Sequence, residues 1–337
     1  MVLVQILVGG ITRLTGSGLS ITRWEIVTGT LPPLNSEQWL EAFNLYAQTP
    51  QYQLINKGIS LSEYKYIIFW EYIHRLWART MGLVFLLPFL IFLFLKAFDS
   101  WLIKRLGVII ILACLAAVFG WIMVASGLIN RPWVNAYKLT VHLGLGMTLF
   151  IYLFFTWLSY RGYTKYSIQG FQRIVRTIIF LAIVQIAFGG FVSGMKSALS
   201  YPTWPLMNSE WVPDVVIHAD NWNTKNFLMY DKSGFMPALV QVVHRNLAYI
   251  LALFVFIFAV RWYRQSSPMW RWISFLSVAI IVVQVTLGVL TLLNSKGSIP
   301  IGFGAFHQVI GIILLTYFFY IDSLIRVTPD NQISIPN

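Results

Sequence analysis

Charge and cysteine are scarce in this sequence. Only 11% of its 337 residues are charged, against about a quarter in soluble domains. With 58% hydrophobic residues and a mean hydropathy of +0.70, there is too little polar surface to cover a soluble globule, and that class is excluded. Acid is the scarcer sign: 12 Asp and Glu face 24 Lys and Arg, for a net charge of +12. A basic excess raises nucleic acid as a partner, but that requires a basic face interleaved with base-stacking aromatics. Here Lys and Arg sit in short clusters between apolar runs, as the positive-inside rule expects of a membrane protein. The single cysteine, Cys114, rules out an intrachain disulfide. Its apolar surroundings predict a packed small residue rather than a reactive thiol.

Apolar length is what the sequence has in abundance. At about 20 residues per span, helices are predicted near 66–95, 106–127, 137–159, 173–194, 237–262, 271–293 and 304–325. An eighth apolar stretch, residues 1–12, is short. About 12 residues rise only about 18 Å, against a hydrocarbon core of about 30 Å. A truncated start, a re-entrant segment and a short helix compete, and the expectation is a first span missing its beginning. It lacks the basic n-region and small-residue cleavage site of a signal peptide.

Loop charge predicts orientation. Three short connections are basic, carrying Lys96, Lys104 and Arg105, then Arg161, Lys165, Arg173 and Arg176, then Arg261, Arg264 and Arg271. The alternate connections, at 13–65, 128–136, 195–236 and 294–303, are longer or mixed in charge. Basic short loops stay cytoplasmic, which places both termini inside and the two long loops outside. Those long loops carry Trp39, Phe43, Tyr46, Tyr52, Tyr64 and Tyr66, and later Trp204, Trp211 and Trp222. Such aromatics suit an interfacial belt, or a cover over something buried beneath.

An internal repeat emerges when the halves are aligned. Glu71-Tyr72-Ile73-His74-Arg75 has a counterpart in Gln241-Val242-Val243-His244-Arg245, His142 in His307, and Gly9-Gly10 in Gly189-Gly190. The predicted fold class is an all-α polytopic membrane protein of eight transmembrane helices, the first truncated, built as two repeat-related four-helix bundles. The expected halves are residues 1–160 and 161–337, each with one histidine in its second helix and one in its fourth.

Those histidines carry the chemistry. Of five in the chain, four fall within predicted spans and His218 in an outer loop. A lone intramembrane histidine is as well explained by a helix–helix hydrogen bond. Two repeat-related pairs need a common cause, and two imidazoles at one depth in a helical bundle suit a bis-His haem. Zinc fits less well, because no Cys or second carboxylate completes a tetrahedral set. Arg75 and Arg245 follow the paired histidines, and an intramembrane arginine needs a partner. Haem propionates would serve, bound by the guanidinium fork. For Arg75 a local partner also exists: Glu71 lies four residues earlier, in the favourable order for an ion pair. The equivalent position before Arg245 is Gln241, so that alternative fails there.

At this point the sequence resembles haem A synthases. Gly9-Gly10-Ile11-Thr12-Arg13-Leu14-Thr15-Gly16-Ser17-Gly18-Leu19-Ser20 is similar to the family's first signature, and Glu71-Tyr72-Ile73-His74-Arg75 to its second. Trp204-Pro205-Leu206-Met207, after the Gly-Gly run at 189–194, is similar to its third, and Ala305-Phe306-His307-Gln308 fits its last helix. The long first loop with Pro32-Pro33 and Tyr64-Lys65-Tyr66 resembles the mitochondrial and related bacterial branch.

The resemblance implies oxidation of the C8 methyl of haem O to a formyl group, making haem A for cytochrome oxidase. By family, His244 and His307 hold a resident haem b, while His74 and His142 mark the haem O site with Glu71 beside it as catalytic residue. If both N-terminal histidines ligate the substrate iron, no position is open for oxygen. Then one histidine dissociates, or oxidation proceeds by electron removal. Expected partners are haem O, a haem O synthase, cytochrome oxidase assembly factors, an electron-transfer partner of unassigned identity, membrane lipid and a second copy of the chain, with no nucleic acid. The expected location is the bacterial cytoplasmic membrane, with the mitochondrial inner membrane as the alternative. Two rivals from other classes are a bis-His dihaem electron carrier, which needs no acid–base residue, and a repeat-built transporter.

Overall fold

The structure, a computed structural model, describes residues 1–23, 31–162 and 170–325. Lys165, one of the basic-loop residues, lies outside the described residues. Among the described residues no β-strand forms, and one isolated bridge pairs Met207 with Glu210. Among the described residues seven helices are long and apolar enough to cross a membrane: α4 (Leu61–Phe94), α5 (Ser100–Asn130), α6 (Ala136–Arg161), α7 (Gln172–Gly194), α10 (Phe235–Gln265), α11 (Trp272–Leu293) and α12 (Ile301–Leu324). The first apolar stretch forms α1 (Val2–Leu14), at 13 residues. Short helices α2 (Ser36–Ala47), α3 (Pro50–Leu54), α8 (Asp214–Ile217) and α9 (Thr224–Leu228) lie in the two long loops. The protein is a multi-pass membrane protein. On α4, Leu83, Val84, Leu87, Leu90, Ile91 and Phe94 are all exposed, a continuous apolar face suited to lipid.

The spans follow the predicted positions, except that α4 begins five residues and α5 six residues earlier than predicted. Helix α4 starts at Leu61 because Ser60 and Glu63 form a capping box, which satisfies two otherwise orphaned groups at its N-terminus. His74 therefore comes 13 residues after the first residue of its helix, against 6 for His142 in α6, 9 for His244 in α10 and 6 for His307 in α12. His74 is thus the deepest of the four along its own helix. The added turns of α4 pack into the first long loop: Tyr64, Ile67 and Ile68 join Tyr46 in a buried cluster with Trp39, Phe43 and Tyr52 around it. Several aromatics of that loop are thus interior to it rather than a plain interfacial belt. Burial raises the pKa of the Tyr46 phenol, a shift partly offset by its hydrogen bond from Asn56.

The chain divides into two compact units, residues 1–154 and 155–337. In the second, α7, α10, α11 and α12 form a closed ring, each packing on two of the others. Its interior is filled by Val255, Phe258, Ile312, Leu315 and Phe318, with Phe258 edge-on to Phe318 at 5.3 Å. In the first unit α1 packs along α4. Cys114 corrects the sequence expectation: it is exposed on α5 rather than packed, because its side of the helix faces outward with Ile111, Ala117 and Val118, three and four residues away.

Candidate functional site

Each intramembrane histidine is seated on a glycine of a neighbouring helix. A Cβ added at Gly9 would lie 3.0 Å from the His74 ring, and one at Gly120 would lie 3.0 Å from His142. In the second unit the same test places Gly189 3.4 Å from His244 and Gly288 2.8 Å from His307. At Gly9, Gly120 and Gly288 a side chain would crowd the imidazole, whereas at Gly189 a Cβ would make ordinary contact.

In the second unit the ring centroids of His244 and His307 are 6.3 Å apart, inclined at 72°. A metal–imidazole bond of about 2 Å, with roughly 1 Å more to the ring centre, puts two imidazoles on opposite sides of one metal about 6 Å apart. The pair meets that spacing. The Nδ1 of His307 donates to the main-chain carbonyl of Gln284 at 2.9 Å, which leaves Nε2 with the lone pair that a metal needs. The Nδ1 of His244 is buried with no hydrogen-bond partner among the described residues, so its ring is held by packing and by the Gln185 amide, 3.3 Å from Nε2. Two neutral nitrogen donors, one of them an orphaned buried imidazole, fit a bis-imidazole haem.

The first unit repeats these contacts. His142 Nδ1 donates to the carbonyl of Ala116 at 3.0 Å. Gln5 donates to the main-chain carbonyl of His74 at 3.1 Å, as Gln185 does to that of His244 at 3.0 Å. His218 is exposed in the second long loop, at the end of α8, apart from both pairs.

One helical turn before His74 and His244, the two units differ in charge and use it on loops. Glu71 is buried. Its Oε2 accepts the Ser20 N–H, the Ser20 hydroxyl and the Ile21 N–H, each at 2.8 Å. Its Oε1 accepts from Arg75 at 2.5 Å, so the local ion pair anticipated from the sequence is present. Arg75 also reaches the Ile21 carbonyl at 3.4 Å. Just before this segment, Gly16 takes a φ of +70°, a turn that only glycine makes without strain. In the second unit Gln241 donates to the Tyr201 carbonyl at 2.9 Å. Arg245 donates to the carbonyls of Tyr201, Thr203, Pro205 and Leu206 at 2.7–3.3 Å. The partner of Arg245 in the protein is thus a cage of loop carbonyls, with its Nε buried and without a hydrogen bond among the described residues.

Comparison with known proteins now decides the family. Residues 1–319 match the family COX15-CtaA, described as cytochrome oxidase assembly protein. The chain belongs to it. The Heme A synthase of Nitrosospira multiformis is 38% identical over 335 residues, covering 97% of this chain and 90% of that protein. The Heme A synthase of Parvibaculum lavamentivorans is 38% identical over 91% of this chain and 86% of its own length. That of Pelagibacter ubique is 36% identical over 95% and 92%.

In this COX15-CtaA family member the sequence reading named the four histidines, Glu71, Arg75 and Arg245, and the structure gathers them into two clusters, one per unit. It missed Ser20 and Ile21 as partners of Glu71, Gly120 and Gly288 as seats for His142 and His307, and the glutamines Gln5, Gln185 and Gln284. A signal for the last group was present: Gln5, Gln185 and Gln284 precede Gly9, Gly189 and Gly288 by four residues, the spacing that puts two positions on one helix face.

Proposed function

We propose that this chain is a haem A synthase that oxidises the C8 methyl of haem O to a formyl group, giving haem A for cytochrome oxidase. The observation that carries the reading is the pair of imidazoles in each unit, every ring seated on a glycine of a neighbouring helix. The names of the relatives support it. In this reading the halves 1–160 and 161–337 are repeat-related four-helix bundles, with α1 as the eighth membrane helix. Both termini face the cytoplasm across a bacterial cytoplasmic membrane.

The second half is the resident site: His244 and His307 would hold haem b. The first half is the substrate site: His74 and His142 would hold haem O. Bound haem would supply one-electron redox chemistry: making a formyl group from a methyl group removes four electrons and four protons and takes an oxygen atom from water, the electrons passing to a membrane electron acceptor. The chain's own residues do the rest. The half-buried histidine pairs would hold the two haems. Arg75 and Arg245 would offer acidic propionates the fork geometry of guanidinium. Glu71 serves as the acid–base residue of the substrate half, receiving protons at its carboxylate as the methyl is oxidised. A pure electron carrier would need no such group, and the second half has Gln241 in its place. Haem O would be delivered by a haem O synthase, and haem A passed to cytochrome oxidase assembly factors.

Optical spectra of the purified protein, with its extracted haem identified by mass, test the reading. Wild-type protein carries low-spin haem b and converts haem O to haem A. His244→Ala and His307→Ala each abolish the haem b signal. A haem b spectrum that survives both changes overturns the site assignment, and absence of haem A overturns the activity.

A further inference from the structure

The four histidine seats are built alike except at one position. On α1, α7 and α11 the glycine under the ring is preceded by a glutamine one turn earlier: Gln5 before Gly9, Gln185 before Gly189, Gln284 before Gly288. On α5 the residue before Gly120 in that register is Ala116. The correspondence does not rest on sequence spacing alone. The main-chain carbonyl of Ala116 receives His142 Nδ1 at 3.0 Å, and that of Gln284 receives His307 Nδ1 at 2.9 Å. Ala116 and Gln284 thus occupy the same place against equivalent imidazoles, and differ only in side chain.

That side chain fills space beside the ring. The Gln284 amide nitrogen lies 3.5 Å from His307 Nε2, at the outer limit of a hydrogen bond, so it acts chiefly as a wedge. Its other flank meets α12 at Gly311, where a Cβ would come within 3.1 Å of the amide. The amide is therefore gripped between the ring and the helix that bears it. In the first unit Gly146 stands four residues after His142, as Gly311 does after His307. It meets only Ile6, at 3.7 Å. Among the described residues no side chain hydrogen-bonds the His142 ring.

We propose that Gln284 is a positioning residue that wedges His307 in its ligating pose and makes the second unit retain its haem, while Ala116 leaves His142 unwedged so that the first unit can exchange haem O for haem A. The proposal rests on the haem reading above. A resident cofactor has to stay through every turnover, whereas a substrate has to enter and its product leave. A ring held by one Nδ1–H···O=C bond on a helix face can swing out. A ring also blocked by a buried amide cannot. His142 is then the N-terminal ligand that yields, which answers the question left by four histidines and two irons.

The test uses full-length protein in detergent and measures transfer of haem to an excess of a haem-scavenging protein, followed optically. Gln284→Ala, which copies the first unit, speeds loss of haem b roughly fivefold, the effect of deleting packing beside the ring. Gln284→Met, similar in volume without the amide, retains haem b at the wild-type rate. Ala116→Gln slows release of added haem O by a similar factor and leaves haem b unchanged. It reports independently should the Gln284 variants misfold. If His244→Ala and His307→Ala lose haem b, yet Gln284→Ala and Ala116→Gln exchange at wild-type rates, the haem reading stands and this proposal falls. Equal loss from Gln284→Met and Gln284→Ala also overturns it. If the histidine variants keep haem b, the underlying reading falls instead.

Discussion

Glu71 accepts both the backbone N–H and the hydroxyl of Ser20 at 2.8 Å, across 51 residues of chain, and so pins the first signature loop to α4 one turn before His74. The equivalent Gln241 donates to the Tyr201 carbonyl. The charge difference between the units thus tracks what each loop presents, N–H groups in one and a carbonyl in the other. Anchoring and acid–base chemistry both call for a carboxylate at position 71, and substitution separates them.

Glu71→Gln is expected to retain haem b but cut haem A formation by about 10²-fold or more, the usual contribution of a general acid–base residue. Ser20→Ala removes one donor and leaves the carboxylate, so it should keep most activity. Pigment analysis at equal protein levels decides. An equal, modest loss in both variants would assign Glu71 to the loop alone.

The glycine seats form a graded series. At Gly288 a Cβ would sit 2.8 Å from His307, and at Gly189 it would sit 3.4 Å from His244. Overpacking of a close contact costs about 1–3 kcal/mol. Gly288→Ala should therefore displace His307 and convert the low-spin haem b spectrum to a high-spin one, while Gly189→Ala should leave it nearly intact. The reverse order would show that these backbone approaches do not set ligand position.

Arg245 is expected to hold the loop at 201–206. Each hydrogen bond to a charged group is worth about 1.5–3 kcal/mol, and Arg245 donates to four carbonyls there. Arg245→Ala should raise amide hydrogen exchange across Tyr201–Met207 by at least about tenfold, with Arg245→Lys intermediate because a single ammonium cannot reach all four. Unchanged exchange in the alanine variant would mean the loop is held elsewhere.

Orientation can be read by labelling intact cells with a membrane-impermeant thiol reagent. Exposed Cys114 is first replaced by Ser. Asp220→Cys, in the second long loop, should then label, and Arg161→Cys, in the basic connection after α6, should label only after lysis. The opposite pattern would invert the topology.

The spans and the four histidines were legible in the sequence for a simple reason. A membrane demands about 20 apolar residues in a row, a property of one dimension, and against that background a histidine is conspicuous. The start of α4 escaped because a polar capping box and a buried aromatic cluster, rather than lipid, extend that helix by more than a turn. The outward face of Cys114 escaped because an evenly apolar helix carries no periodicity to show which side packs.

What the sequence determined by itself was the solvent, the approximate spans, the family signatures and the residue types able to hold a haem. Tertiary structure alone decided who meets whom: that Glu71 finds Ser20 and Ile21, that Arg245 is enclosed by loop carbonyls, and that each imidazole rests on a particular glycine. These contacts join residues from 19 positions apart, Gly288 and His307, to 65 positions apart, Gly9 and His74. They depend on which helices lie side by side and at what rotation. Local propensity and apolar length are silent on both, because a helix surrounded by lipid and neighbours reads as apolar on every face.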